Sequence, residues 1–197
     1  MAWGTENALD RKMKANLAAS TFHPGRTIVL IGLMGAGKTC VGRRIAQALG
    51  LPFVDADHEI EAACGMTVAE FFTRFGEAAF REGERKVMAR LLEGPVIVLG
   101  AGGGAFMDPE TREDIRRKAI SVWLKADLEL LIARTEGRGH RPLLNQGNPR
   151  ETLARLMEIR YPVYAQADIT VETTDEPADI TAGKVLRALE QSARKSA

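Results

Sequence analysis

Apolar residues along this chain come in short continuous runs separated by longer segments with helical spacing. The first run, Thr27-Ile28-Val29-Leu30-Ile31, has no polar alternation, the pattern of a strand covered on both faces. Val41 to Leu49 then shows apolar positions at helical intervals and stops at Gly50 and Pro52. A second strand is predicted at Pro52-Phe53-Val54, leading into Asp55-Ala56-Asp57. Helical spacing covers Asp57 to Cys64, Val68 to Phe75 and Glu77 to Leu92, with breaks at Gly65 and Gly76. Further strands are expected at Pro95 to Leu99, Ile120 to Leu124 and Asp168 to Val171. Helices are expected from about Pro109, at Leu128 to Thr135, at Arg150 to Tyr164 and at Asp179 to Ser192. Strands alternating with helices predict an α/β fold whose five strands form a parallel sheet flanked by helices.

Two segments fall outside this rhythm. Residues 1–25 precede the first strand and end at Pro24-Gly25, so they read as an N-terminal extension, mobile beside a single domain at 26–197. The stretch from about 137 to 149, rich in Gly, Pro and polar residues, reads as a mobile lid.

Composition narrows the class. The chain has 197 residues, 45% hydrophobic and 27% charged, enough for one core without staples. Its 27 Lys and Arg against 26 Asp and Glu leave a net charge of +1, which gives no bulk attraction to nucleic acid or to an anionic membrane. No apolar run is long enough to span a bilayer, and the N-terminus lacks the apolar core of a secretory signal. The two cysteines, Cys40 and Cys64, form no CxxC pair, so a cytoplasmic location is expected.

Chemistry concentrates just after the strands, the edge where open parallel sheets bind ligands. Gly32-Leu33-Met34-Gly35-Ala36-Gly37-Lys38-Thr39 matches the phosphate-binding loop G-x-x-x-x-G-K-[ST], with a strand before it and a helix after it. Glycines let successive backbone N–H groups turn toward phosphate oxygens, and the helix N-terminus adds positive potential. Lys38 is placed to reach the β- and γ-phosphates, and the Thr39 hydroxyl to ligate Mg²⁺. Asp55 and Asp57 leave the second strand with one residue between them, so one can serve the metal through water and the other a substrate hydroxyl. Capping of the following helix is the structural alternative for Asp57. Arg81 lies three residues before Glu84 on a helix, a spacing that suits either a surface ion pair or a guanidinium held in place. Arg160 alone is equally open. Together the two arginines would suit a carboxylate acceptor. Neither DxxG nor [NT]KxD occurs, which favours a small-molecule transferase over a signalling GTPase.

GLMGAGKT, FVDAD, FREGE, AGGGA, HRPLL and RYPVY occur in an order and spacing that resemble the shikimate kinase family, from about Arg26 to Val171. The resemblance implies a P-loop NTPase fold of the nucleoside-monophosphate-kinase type. It also implies phosphorylation of the 3-hydroxyl of shikimate by ATP, a step of aromatic amino-acid biosynthesis, with Mg²⁺ as cofactor and a monomeric enzyme. Carried over residue by residue, Gly35, Ala36, Gly37, Lys38, Thr39 and Cys40 resemble the ATP-phosphate cradle, with Thr39 on magnesium and Asp55 holding it through water. Asp57 resembles the residue on the acceptor hydroxyl, and Arg81 and Arg160 the pair on the shikimate carboxylate. Gly103, within Gly102 to Gly104, resembles the glycine whose backbone meets the substrate ring. Arg141 resembles the lid arginine that closes on the phosphates.

Two positions depart from the family pattern. Cys40 stands where Ser or Thr is usual, though its backbone N–H still serves phosphate. Residues 173–177 lack an arginine that some members place near adenine. Two other readings fit the phosphate loop: a P-loop kinase for gluconate or nucleoside monophosphates, and a P-loop regulator without turnover.

Overall fold

A computed structural model describes residues 22–136 and 148–196. Five strands form one parallel sheet: β1 (Thr27–Ile31), β2 (Phe53–Asp55), β3 (Val98–Gly100), β4 (Ala119–Ala126) and β5 (Ile169–Thr173), in the order β2-β3-β1-β4-β5. The helices are α1 (Lys38–Leu49), α2 (Ala56–Cys64), α3 (Val68–Glu93), α4 (Pro109–Lys118), α5 (Leu128–Thr135), α6 (Pro149–Tyr164) and α7 (Ala178–Ser196), with a 3₁₀ turn at Ala105–Met107.

The central strand is the one with the unbroken apolar run. β1 lies between β3 and β4, pairing Val29 with Leu99 on one side and Ser121 on the other, and all five of its residues are buried. At the open edge, β5 alternates buried and exposed residues, as expected of a strand with one face toward solvent. The connection from β1 leaves toward β2, and that from β4 toward β5. This divergence opens a crevice at the carboxyl end of β1.

Local sequence accounts for the helix ends. Asp55, Thr67, Asp108, Asp127 and Asn148 each cap the helix that follows by accepting a backbone N–H, and Thr67 with Glu70 completes a capping box. Asn148 and Pro149 therefore belong to the start of α6. The break expected at Gly76 is present: its φ of 78° and ψ of 175° are non-helical and divide the span of α3 into two helical pieces. Strand β3 begins at Val98, although Ile97 and Pro52 already share the ladder through their carbonyls.

Besides the main core around the sheet, Ile60, Phe80 and Val87 form a smaller cluster with Phe71 and Phe72. It gives α2 and α3 an apolar anchorage of their own at the mouth of the crevice. Among the described residues no helix is long and apolar enough to cross a membrane.

Candidate active site

The P-loop joins β1 to α1. Gly37 adopts φ 95°, a left-handed conformation that glycine reaches without a Cβ penalty, and it starts α1 with no side-chain cap and no acid in the first turn. Five other helices carry a side-chain cap at their start, so the N–H groups of α1 remain available to an anion. Lys38 bends back over the loop and donates from Nζ to the carbonyls of Gly32 at 2.8 Å and Leu33 at 3.2 Å. Cys40 is exposed in the first turn of α1.

The two aspartates separate as the sequence allowed, and one ambiguity resolves. Asp55, at the end of β2, accepts the Thr39 hydroxyl at 3.1 Å through Oδ2 and caps α2 through Oδ1 at 3.2 Å. The cap is thus Asp55, and Asp57 is released from that role. Thr39 and Asp55 form a pair of hard oxygen donors of the kind that suits Mg²⁺, which keeps most of its water and binds few protein groups.

Asp57 remains accessible to solvent on the cleft wall. Surrounding protein desolvates its carboxylate, and Asp55 and Glu61 repel it. Its pKa therefore lies above the ordinary 3.8, although Lys38 and His58 pull the other way.

Facing Asp57 is the Gly102-Gly103-Gly104 segment after β3. A Cβ on Gly102 would lie 2.8 Å from Asp57 Oδ1 and 2.9 Å from Glu84 Oε1, and one on Gly103 would lie 2.9 Å from Arg160 Nη1. One on Gly104 would fall on the guanidinium of Arg81. Each of these glycines makes room for a charged side chain that sequence reading had named. That is why the segment carries no side chains of its own.

Arg81 is no loose surface residue. Its Nη1 donates to Glu84 at 2.6 Å and its Nη2 to Glu77 at 3.2 Å, while Phe80 and Phe72 lie 5.3 and 6.0 Å from its charge centre. Glu84 is only 3% exposed, which separates this pair from the solvated ion pairs that the same spacing usually makes. Burial works against the charge of Arg81, but Glu84 and Glu77 more than offset it and raise its pKa. Burial likewise pushes Glu84 up, against the pull of Arg81. Arg160, half-buried on α6, donates from Nη1 to the Gly103 carbonyl at 2.9 Å.

Sequence reading missed two contributors. Tyr164, buried at the end of α6, donates its hydroxyl to the same Gly103 carbonyl. Arg134 of α5 has Nη1 3.7 Å from the point where a Gly37 Cβ would stand, and its Nη2 donates to the Thr174 carbonyl at 2.8 Å. Residues 173–177 lack an arginine, yet a guanidinium from another element stands beside them. Tyr164 closes the RYPVY motif, which was a signal for it, and no local signal marks Arg134. Arg141 and most of the expected lid, 137–147, lie outside the described residues, as do residues 1–21 of the N-terminal extension.

A parallel sheet in this order, a P-loop after its central strand, and acids and arginines across the same edge define a P-loop kinase for a small-molecule acceptor. Comparison with known proteins identifies which one. The family model for shikimate kinase matches residues 34–190. The shikimate kinase of Paramagnetospirillum magneticum is 66% identical over 165 residues, covering 84% of this chain and 85% of its own. The shikimate kinase of Acinetobacter baumannii, solved in complex with shikimate, superposes with a TM-score of 0.82 at 38% identity, over 91% of this chain and 97% of its own. A gluconokinase from Sinorhizobium meliloti shares the fold at a TM-score of 0.60 but only 19% identity, over 89% of this chain and 99% of its own. The chain belongs to the shikimate kinase family.

Proposed function

We propose that this cleft transfers the γ-phosphoryl group of ATP to the 3-hydroxyl of shikimate, giving shikimate 3-phosphate and ADP, with the residues named above in the following roles. The observation that carries the reading is the convergence on three successive glycines: Asp57 and Glu84 at Gly102, Arg160 at Gly103 and Arg81 at Gly104. On this reading Asp57 serves the acceptor hydroxyl and the two arginines its carboxylate, and their meeting at these glycines supports it.

Phosphoryl transfer demands positioning and charge neutralisation more than covalent work by the protein. The backbone N–H groups from Gly35 to Cys40 cradle the phosphates, and Lys38 exchanges its loop carbonyls for phosphate oxygens. Thr39 and Asp55 would hold Mg²⁺, which when bound would neutralise charge on the nucleotide phosphates. Arg81 and Arg160 take the acceptor carboxylate by bidentate donation, and the backbone of Gly102 to Gly104 lies against the ring. This orients the 3-hydroxyl toward Asp57. As the new O–P bond forms and the bond to ADP breaks, the hydroxyl proton passes to the Asp57 carboxylate, whose raised pKa makes it a better acceptor than an ordinary aspartate. Arg141, in the HRPLL segment, is assigned to the phosphates by sequence. The enzyme is taken to act as a monomer in the cytoplasm, where its two cysteines, neither in a disulfide, suit a reducing compartment.

A coupled ADP-release assay tests this reading with shikimate, gluconate and nucleoside monophosphates as acceptors, with and without Mg²⁺. Release is expected with shikimate and Mg²⁺ together. Absence of release with shikimate overturns the proposal.

A further inference from the structure

Tyr164 ends α6 four residues after Arg160, so the two side chains leave the same face of the helix one turn apart. They also reach the same atom. Arg160 Nη1 donates to the Gly103 carbonyl at 2.9 Å, and the Tyr164 hydroxyl donates to it as well. A carbonyl oxygen has two lone pairs, and here each has a donor.

The two donors differ in what else they can do. Tyr164 is fully buried, with Trp123, Tyr161 and Phe106 around its ring at centroid distances of 6.1, 6.2 and 6.5 Å. Burial raises its pKa, Arg160 lowering it only in part, so the phenol stays protonated and able to donate. Arg160 is half-buried and has four further N–H donors and a charge. A carboxylate entering the cleft competes with a neutral carbonyl for that guanidinium and wins, because ionic acceptors bind it more strongly.

We propose that Tyr164 is a positioning residue for the acceptor: it holds the Gly103 carbonyl so that Arg160 can turn to the acceptor carboxylate without leaving that oxygen unpaired. The proposal rests on the reading of Arg160 as a carboxylate ligand. Without the Tyr164 hydroxyl, a guanidinium that turns its Nη1 to the substrate leaves the Gly103 carbonyl without a donor, and one that keeps Nη1 there offers the substrate only its remaining N–H groups. The loss then appears on acceptor binding, while the ligand-free protein, with Arg160 still on Gly103, is little affected.

Steady-state kinetics of Tyr164→Phe, Arg160→Ala and the double variant test this. In Tyr164→Phe the KM for shikimate is expected to rise about tenfold, the worth of one hydrogen bond to a carbonyl being desolvated. The KM for ATP is expected to be unchanged, and kcat to stay within about threefold of the parent. In the Arg160→Ala background no guanidinium leaves Gly103 on binding. Removing the hydroxyl should there cause no further loss in kcat/KM for shikimate. An unchanged shikimate KM in Tyr164→Phe overturns the proposal. So does an equal loss in both backgrounds, which marks a purely structural role. A ligand-free melting temperature more than about 10 °C lower also overturns it, because Arg160 then fails to hold the loop alone. If Arg160→Ala itself leaves shikimate kinetics unchanged, the carboxylate reading of Arg160 is what fails.

Discussion

Replacing Gly104 by alanine offers a sharp test of the acceptor site, because the structure isolates a single steric consequence. The backbone at Gly104 has φ −97° and ψ −24°, a right-handed conformation open to any residue, so the substitution adds no backbone strain. The new methyl group would land on the guanidinium of Arg81, with Nη2 only 2.7 Å away. Arg81 must move, and as the far end of a flexible chain it can do so at modest cost to the fold. It cannot do so and keep its place in the cleft, where Glu84 holds it at 2.6 Å. The affected quantity is its charge-assisted grip on the acceptor carboxylate, worth about 1.5–3 kcal/mol, or roughly ten- to a hundredfold in affinity. Shikimate titrated into the nucleotide-free enzyme in a calorimeter should bind weaker by that factor. ATP affinity, set at the P-loop, should be unaffected. Equal weakening of both ligands would point to a disturbed fold, and unchanged shikimate affinity would refute the placement of Arg81 on the acceptor.

Asp57→Asn is expected to lower kcat by about two orders of magnitude or more while leaving ATP binding intact; near-normal turnover would remove Asp57 from the mechanism. The same carboxyl sets two opposite pH dependences. Its raised pKa means that the folded protein holds this proton more tightly than the unfolded chain does, so stability falls as pH rises through the folded pKa, whereas turnover rises with ionisation. At neutral pH, Asp57→Asn should therefore melt higher than the parent, and a lower melting temperature would contradict the desolvation argument. Gly42→Ala places a methyl group 2.9 Å from Leu30 Cδ1 and against the ring of Phe53. Overpacking should outweigh the gain in helix propensity and cost about 1–2 kcal/mol in urea denaturation; a more stable variant would show that Phe53 has room to move.

Much of the fold was legible because each element carries a local cause. The apolar run of β1 marks a strand buried on both faces, the caps from Asp55 to Asn148 sit where helices begin, and Gly50 closes α1 in a left-handed turn at φ 64°. Boundaries shifted where hydrogen bonding rather than hydropathy decides. Pro95 to Ile97 read as strand from their apolar character, yet the pairing starts at Val98. Gly76 was read as a break between two helices, and its non-helical backbone interrupts the span Val68–Glu93 at that residue.

The candidate site divides in the same way. The P-loop could be read directly, since backbone curvature, lysine and hydroxyl lie within eight consecutive residues and need only a strand and a helix to fix them. Arg81 with Glu84 and Arg160 stayed ambiguous in sequence, because an arginine–glutamate spacing is the same whether solvent or protein surrounds it. Tertiary packing added what spacing lacks: it buries Glu84 to 3% exposure and brings Arg160 onto Gly103. Spacing alone left Asp55 and Asp57 exchangeable and only the resemblance told them apart; in the fold, Asp55 meets Thr39 and Asp57 lies on the cleft wall. Arg134 carried no signal, and Tyr164, although it closes the RYPVY motif, had none for its role, since their partners lie 40 and 61 residues away along the chain. The sequence by itself determined the strands, the helices and the phosphate loop, whose causes lie within a few residues of each other. Only the tertiary structure decided which charges face one another, because burial and long-range contact belong to the folded chain as a whole.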